Sequence, residues 1–181
     1  MDPVLIVGVG AAALVTSVLG GIAGIGTAIA MIPVLAFAFG VREAIPIITV
    51  AMLFNNTSRW WANRRDTDYR AAAWFSLGAV PMAVLGATVF ANAPAELLAR
   101  ALGVFLLALV AYRHVPLGRG WRMSKVQGFV GVGGVQGFLS ALFGGAGPFG
   151  SHFFMSYGLL RNSFICTFDL GTLMMQVAKA G

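Results

Sequence analysis

A cluster of glycines interrupts a long apolar stretch of this chain, and it does so twice. The first cluster is Gly20-Gly21-Ile22-Ala23-Gly24-Ile25-Gly26 and the second is Gly144-Gly145-Ala146-Gly147-Pro148-Phe149-Gly150. Each sits where the flanking residues read as helix in lipid. Inside a bilayer, non-helical backbone is tolerated only where protein buries it or where it lines a watery cavity. Two such breaks at matching places in two halves of a chain are the best sequence pointer to a transport site.

Lipid is the relevant solvent because so little of the chain is polar. The 181 residues are 59% hydrophobic and 10% charged, with a mean hydropathy of +0.86. An ordinary soluble domain carries about a quarter charged residues. The chain therefore reads as an all-α polytopic membrane protein. Its start, Met1-Asp2-Pro3, lacks the basic region of a signal peptide. The formal charge of +6 does not point to nucleic acid. Ten of the twelve basic residues are Arg, and most lie in short loops between apolar runs, which is the positive-inside pattern. The single Cys166 excludes an intrachain disulfide and a multi-cysteine metal site. No phosphate loop, metal-ligand cluster or nucleophile with a base partner is visible, so neither an enzyme nor a cofactor is expected.

Along the chain, residues 4–39 are apolar but too long for one straight crossing, which needs about 20 residues. The first break divides them into two shorter helices. Spans follow at 43–62, with Pro46 in its first turn, at 71–91, with a kink expected at Pro81, and at 97–113. Residues 126–160 repeat the helix–break–helix plan, and 163–180 form the last span. Arg59-Trp60-Trp61-Ala62-Asn63-Arg64-Arg65 reads as an aromatic and arginine interface anchor. The loops at 59–70 and 113–125 each hold four Lys or Arg and are expected on the cytoplasmic side.

The two halves correspond. Ser17-Val18-Leu19-Gly20-Gly21 is similar to Ala141-Leu142-Phe143-Gly144-Gly145, and Gly40-Val41-Arg42 to Gly158-Leu159-Leu160-Arg161. The period from Gly20 to Gly144 is about 124 residues, which would carry a complete second unit to about residue 240–250. The expected organisation is a first transmembrane repeat at 1–122 and a second, partial one at 123–181. Each repeat opens with a re-entrant or V-shaped broken helix pair. Counterparts of the third and fourth spans are not in the sequence, so a truncated product, a homodimer or a partner chain completing the bundle are the alternatives.

These motifs resemble those of the sulfite exporter TauE/SafE family of anion permeases, over essentially the whole chain. Gly24-Ile25-Gly26 followed by Pro33-Val34-Leu35 is similar to the family's glycine motif and its Pro-x-Leu. Gly40-Val41-Arg42-Glu43-Ala44 resembles its short turn, and Arg64-Arg65 with Asp68-Tyr69-Arg70 its first basic loop. Gly78-Ala79-Val80-Pro81 and Leu85-Gly86-Ala87 resemble its third span, and Gly137 to Gly144 leads into the second motif. Thr27 after Gly26, and Ser151-His152 with Met155-Ser156, depart from the pattern. The resemblance implies export or uptake of small sulfur-containing or carboxylated anions, such as sulfite or sulfonates. The expected location is the bacterial inner membrane.

A break can bind an anion for a physical reason. The second half-helix presents unsatisfied backbone N–H groups and roughly half a positive charge at its start. Glycine permits the unwound backbone and close approach. The candidate substrate site is therefore Gly24, Gly26 and Thr27 with Gly147, Gly150, Ser151 and His152, joined by the amides of Asn55 and Asn56. For Asn55 and Asn56 the competing reading is interhelical hydrogen bonding. For His152 it is a place at the interface. Asp169, inside the last span, is the candidate for proton coupling, against a simple pairing with a nearby polar group. Isolated small-residue spacings such as Gly131/Gly134 or Gly133/Gly137 favour helix packing. Gln176 and Lys179 read as interfacial. The functional expectation is a secondary transporter of small anions by alternating access. A passive anion channel and a non-transporting scaffold subunit are the rivals.

Overall fold

The computed structural model describes residues 27–114, 125–159 and 161–180. The first glycine break, with Gly24 and Gly26, lies outside them. The described residues form seven α-helices and no strand: α1 (Thr27–Phe39), α2 (Val41–Asn63), α3 (Tyr69–Asn92), α4 (Ala95–His114), α5 (Phe129–Phe143), α6 (Gly147–Ser156) and α7 (Arg161–Ala180). The expected all-helical architecture is what the chain adopts. Two segments among the described residues are long and apolar enough by themselves to cross a membrane, Tyr69–Asn92 and Val126–Phe143. Large apolar side chains face outward, among them Phe37 at 97% exposure, Phe54, Val104 and Leu107. Such a surface suits lipid rather than water.

Turn chemistry sets the helix ends. Gly40, with φ 86°, separates α1 from α2, and Gly158, with φ 93°, precedes α7. This left-handed backbone is what glycine adopts without a Cβ penalty. Asp68 caps α3 by accepting from the N–H groups of Arg70 and Ala71, each at 3.0 Å. At the end of α2 the Arg64 guanidinium lies 4.2 Å from the centre of the Trp61 ring. One proline sits differently from the sequence reading: α2 starts at Val41, so Pro46 lies beyond its first turn. Pro81 lies inside α3, which continues on both sides of it. Neighbouring helices and neighbouring donors make such interior prolines tolerable in membrane helices.

The tightest seam joins α3 to α5. Four glycines in α5 would weaken it as an isolated helix in water. Here Gly133 and Gly137 let its backbone meet that of α3. A methyl carbon placed at Gly137 would fall 2.9 Å from the Cα of Ala79, and one at Gly78 would fall 2.8 Å from the carbonyl carbon of Val130. Gly131 has nothing within 4 Å of a Cβ. The packing role therefore belongs to the Gly133/Gly137 pair and not to Gly131.

Two apolar cores flank this seam. One gathers Phe75, Ala79, Phe129, Phe154, Phe164, Phe168 and Met175 from α3, α5, α6 and α7. Its rings meet edge-on, with Phe75 and Phe154 centred 5.3 Å apart. The other gathers Met31, Ile32, Leu35, Ala44, Ile48, Leu102 and Phe143 from α1, α2, α4 and the end of α5.

Candidate functional site

The break after α5 is built by one glycine. Gly144 takes φ 79°, and its N–H donates to the carbonyl of Ser140 at 2.9 Å, which closes the helix. Its Cα is pressed onto α2, where an added Cβ would sit 2.7 Å from Cγ2 of Ile48. Gly145 and Ala146 are non-helical and buried. α6 then begins at Gly147, with Pro148 in the first turn, where its missing N–H costs nothing. Non-helical backbone is thus enclosed by protein in the interior, as a chain in lipid requires.

Side chains from three helices converge on this break. Gly150, in the first turn of α6, lies directly against the Oε1 atom of Gln136 in α5. A Cβ there would also come within 3.2 Å of the Phe168 ring in α7. Gln136 is 1% exposed and its Oε1 has no hydrogen-bond partner. One turn further along α5, Ser140 receives the ammonium of Lys179: Nζ donates to the Ser140 carbonyl at 3.1 Å and to its hydroxyl at 3.3 Å. Gln176, one turn before Lys179 on α7, is 3% exposed and also has an unpartnered Oε1.

These residues are one end of a polar stripe along α7. Asp169, Thr172, Gln176 and Lys179 follow the i, i+3, i+7, i+10 spacing that puts them on one helix face. At the far end, Oδ2 of Asp169 lies 3.0 Å from Nε of Arg59 in α2. Next, Nδ2 of Asn56 donates to Oγ1 of Thr172 at 3.1 Å. From Asp169 to Lys179 the stripe runs about 15 Å at 1.5 Å per residue. It leads from the Arg59–Trp61 anchor to the glycine break. α7 thus carries four polar side chains along one face, turned toward α2 at one end and α5 at the other.

The sequence candidates fall out as follows. Gly147, Gly150 and Ser151 lie together at the start of α6, with Ser151 buried. His152, next to them, is exposed and turns its ring edge toward Phe153. Asn56 is engaged with Thr172, the interhelical bond named as its competing reading, while Asn55 is partly buried. Thr27 opens α1. Asp169 is ion-paired with Arg59. Of the two residues read as interfacial, Gln176 is buried against the protein and Lys179 donates to Ser140 of α5. Gln136 and Ser140 were not singled out from sequence. Their signal was available, since they are two polar residues at i and i+4 in an otherwise apolar helix.

The Sulfite exporter TauE/SafE family model matches residues 9–180. No curated protein and no solved structure matches the chain. The match spans nearly all of the sequence, and the chain belongs to this family of membrane transporters.

Proposed function

We propose that this member of the family is a secondary transporter of small anions, sulfite or sulfonate-like, working by alternating access around its glycine breaks. The observation that carries the proposal is the enclosed break at 144–146. There the start of α6 packs at Gly150 against the Gln136 carboxamide, and one turn further along α5 the Lys179 ammonium donates to Ser140. The left-handed glycines at 40 and 158, each placed before a long helix, support two repeats built on one plan. In this reading Gly24, Gly26 and Thr27 supply the matching half, and the repeats extend over 1–122 and from 123 onward. Asp169 couples transport to protons only when the bond to Arg59 opens, because that guanidinium balances its charge. A homodimer or a partner chain supplies any wall the bundle needs.

The test is anion flux in proteoliposomes for wild type, Gly150→Ala and Gly26→Leu. A methyl at Gly150 displaces the end of the Gln136 side chain, which can move, so the helices stay packed while the site changes. The expected result is a loss of flux of tenfold or more in order of magnitude. Wild-type flux from folded variants would sink the proposal. Flux that never saturates with anion concentration would favour the passive channel.

A further inference from the structure

We propose that Lys179, Ser140 and the carboxamides of Gln136 and Gln176 form a coordination site for a singly charged oxyanion that carries its own O–H or N–H. The inference rests on the transport reading above and specifies the cargo it admits.

Charge sets the first requirement. Among the described residues the ion pairs join Arg59 to Asp169 and Arg100 to Glu96, and no carboxylate lies within 4.0 Å of Lys179. An ammonium has three donors, and Lys179 directs its donors to the two neutral oxygens of Ser140. A cation drawn into a bundle without a counter-charge favours an anion beside it. One positive charge is neutralised by one negative charge. A dianion would leave a net charge in a low-dielectric site, where Coulomb and desolvation costs are largest.

Hydrogen bonding sets the second requirement. The hydroxyl oxygen of Ser140 accepts from Lys179, which leaves its own proton to turn toward an anion oxygen. Among the described residues, the carbonyl oxygens of Gln136 and Gln176, each one turn from Ser140 or Lys179 on its own helix, have no hydrogen-bond partner. Buried acceptors of this kind are costly unless something donates to them. A fully deprotonated oxyanion offers them nothing and repels them. A monoanion with a hydroxyl or amino hydrogen satisfies both. The pattern thus separates cargo by protonation and by charge.

The experiment uses the purified full chain in detergent and three probes that stay fully ionised near neutral pH. These are 2-hydroxyethanesulfonate, methanesulfonate and sulfate, with binding read by calorimetry. The expected order is hydroxyethanesulfonate tightest, methanesulfonate next and sulfate weakest. Lys179→Met should weaken both sulfonates by about tenfold or more, the scale of a lost hydrogen bond to a charged group. Lys179→Arg should retain most of the binding. Gln136→Leu with Gln176→Leu should erase the preference for the hydroxylated sulfonate while leaving methanesulfonate bound. Sulfate bound as tightly as the sulfonates by wild type would overturn the inference without any variant, should Lys179→Met fail to fold. So would wild-type affinity in folded Lys179→Met, which leaves the transport reading standing if flux persists. Wild-type protein that binds none of the three overturns the inference, and if it also fails to move sulfite the transport reading falls with it.

Discussion

Arg59 and Asp169 meet across α2 and α7, Nε to Oδ2 at 3.0 Å, with Asp169 only 2% exposed and Arg59 31% exposed. The two residues are 169 − 59 = 110 positions apart, so the pair ties distant parts of the chain together. Removing one partner of a buried pair strands the other's charge, which costs about 3–5 kcal/mol. Arg59 retains partial contact with its surroundings, so the low end applies. Asp169→Leu and Arg59→Met are each expected to lose about 3 kcal/mol in reversible unfolding. The double variant should lose less than the two singles together. Additive losses would show that the pair contributes nothing as a pair.

The α3–α5 seam makes a sharp contrast between two glycines in one helix. Gly137→Ala forces a methyl against the backbone of Ala79, and overpacking of this kind costs about 1–3 kcal/mol. Gly131→Ala meets nothing within 4 Å and should be neutral or stabilising by up to about 1 kcal/mol. Thermal unfolding of the two variants side by side checks the prediction. Equal effects would contradict the packing described.

Gly40 and Gly144 separate backbone strain from crowding. Both hold positive φ, but a Cβ at Gly40 meets nothing, whereas one at Gly144 meets Ile48. Gly40, at φ 86° and ψ 157°, holds a backbone that is essentially glycine-only, so Gly40→Ala should cost about 1–3 kcal/mol of strain. Gly144→Ala should cost more, and the additional Ile48→Ala change, which removes Cγ2, should relieve the crowding and leave the strain component in place beside the cost of the cavity it opens. Denaturation midpoints of the three variants measure the difference.

The Asn56–Thr172 bond joins α2 to the middle of the polar stripe. A double-mutant cycle with Asn56→Leu and Thr172→Val is expected to give a coupling of about 0.6 kcal/mol, typical for hydrogen bonds between membrane helices. A coupling near zero would mean that each side chain finds another partner once its mate is gone.

Much of this was legible in the sequence. Helix limits followed from apolar length and from glycine and proline positions. Gly158 marks the turn before α7, and Asn92-Ala93-Pro94 the turn between α3 and α4. Spacing pointed to glycine packing in α5 at Gly131/Gly134 and Gly133/Gly137 alike, and only the position of α3 shows that Gly131 takes no part. The site was less legible, because tertiary contact decides which polar residues point inward. Lys179 looks interfacial from its place near the end of a span, and only the position of Ser140 shows that it reaches inward. Asp169 stood out as an intramembrane acid, but its partner lies on another helix and no local spacing names it. Gln136 was overlooked because one amide among apolar residues reads as background until Gly150 is seen against it.

Where backbone touches backbone, as α3 and α5 do through Gly78, Gly133 and Gly137, there is no side chain to yield. Such a joint has no slack for sliding. α3 and α5 are therefore expected to behave as the stator of this machine, with any rocking confined to joints made of longer side chains, such as α2 against α7. Amide hydrogen exchange should register this directly, as the slowest exchange in the protein along that pair and faster exchange in α6 and the residues beside the break.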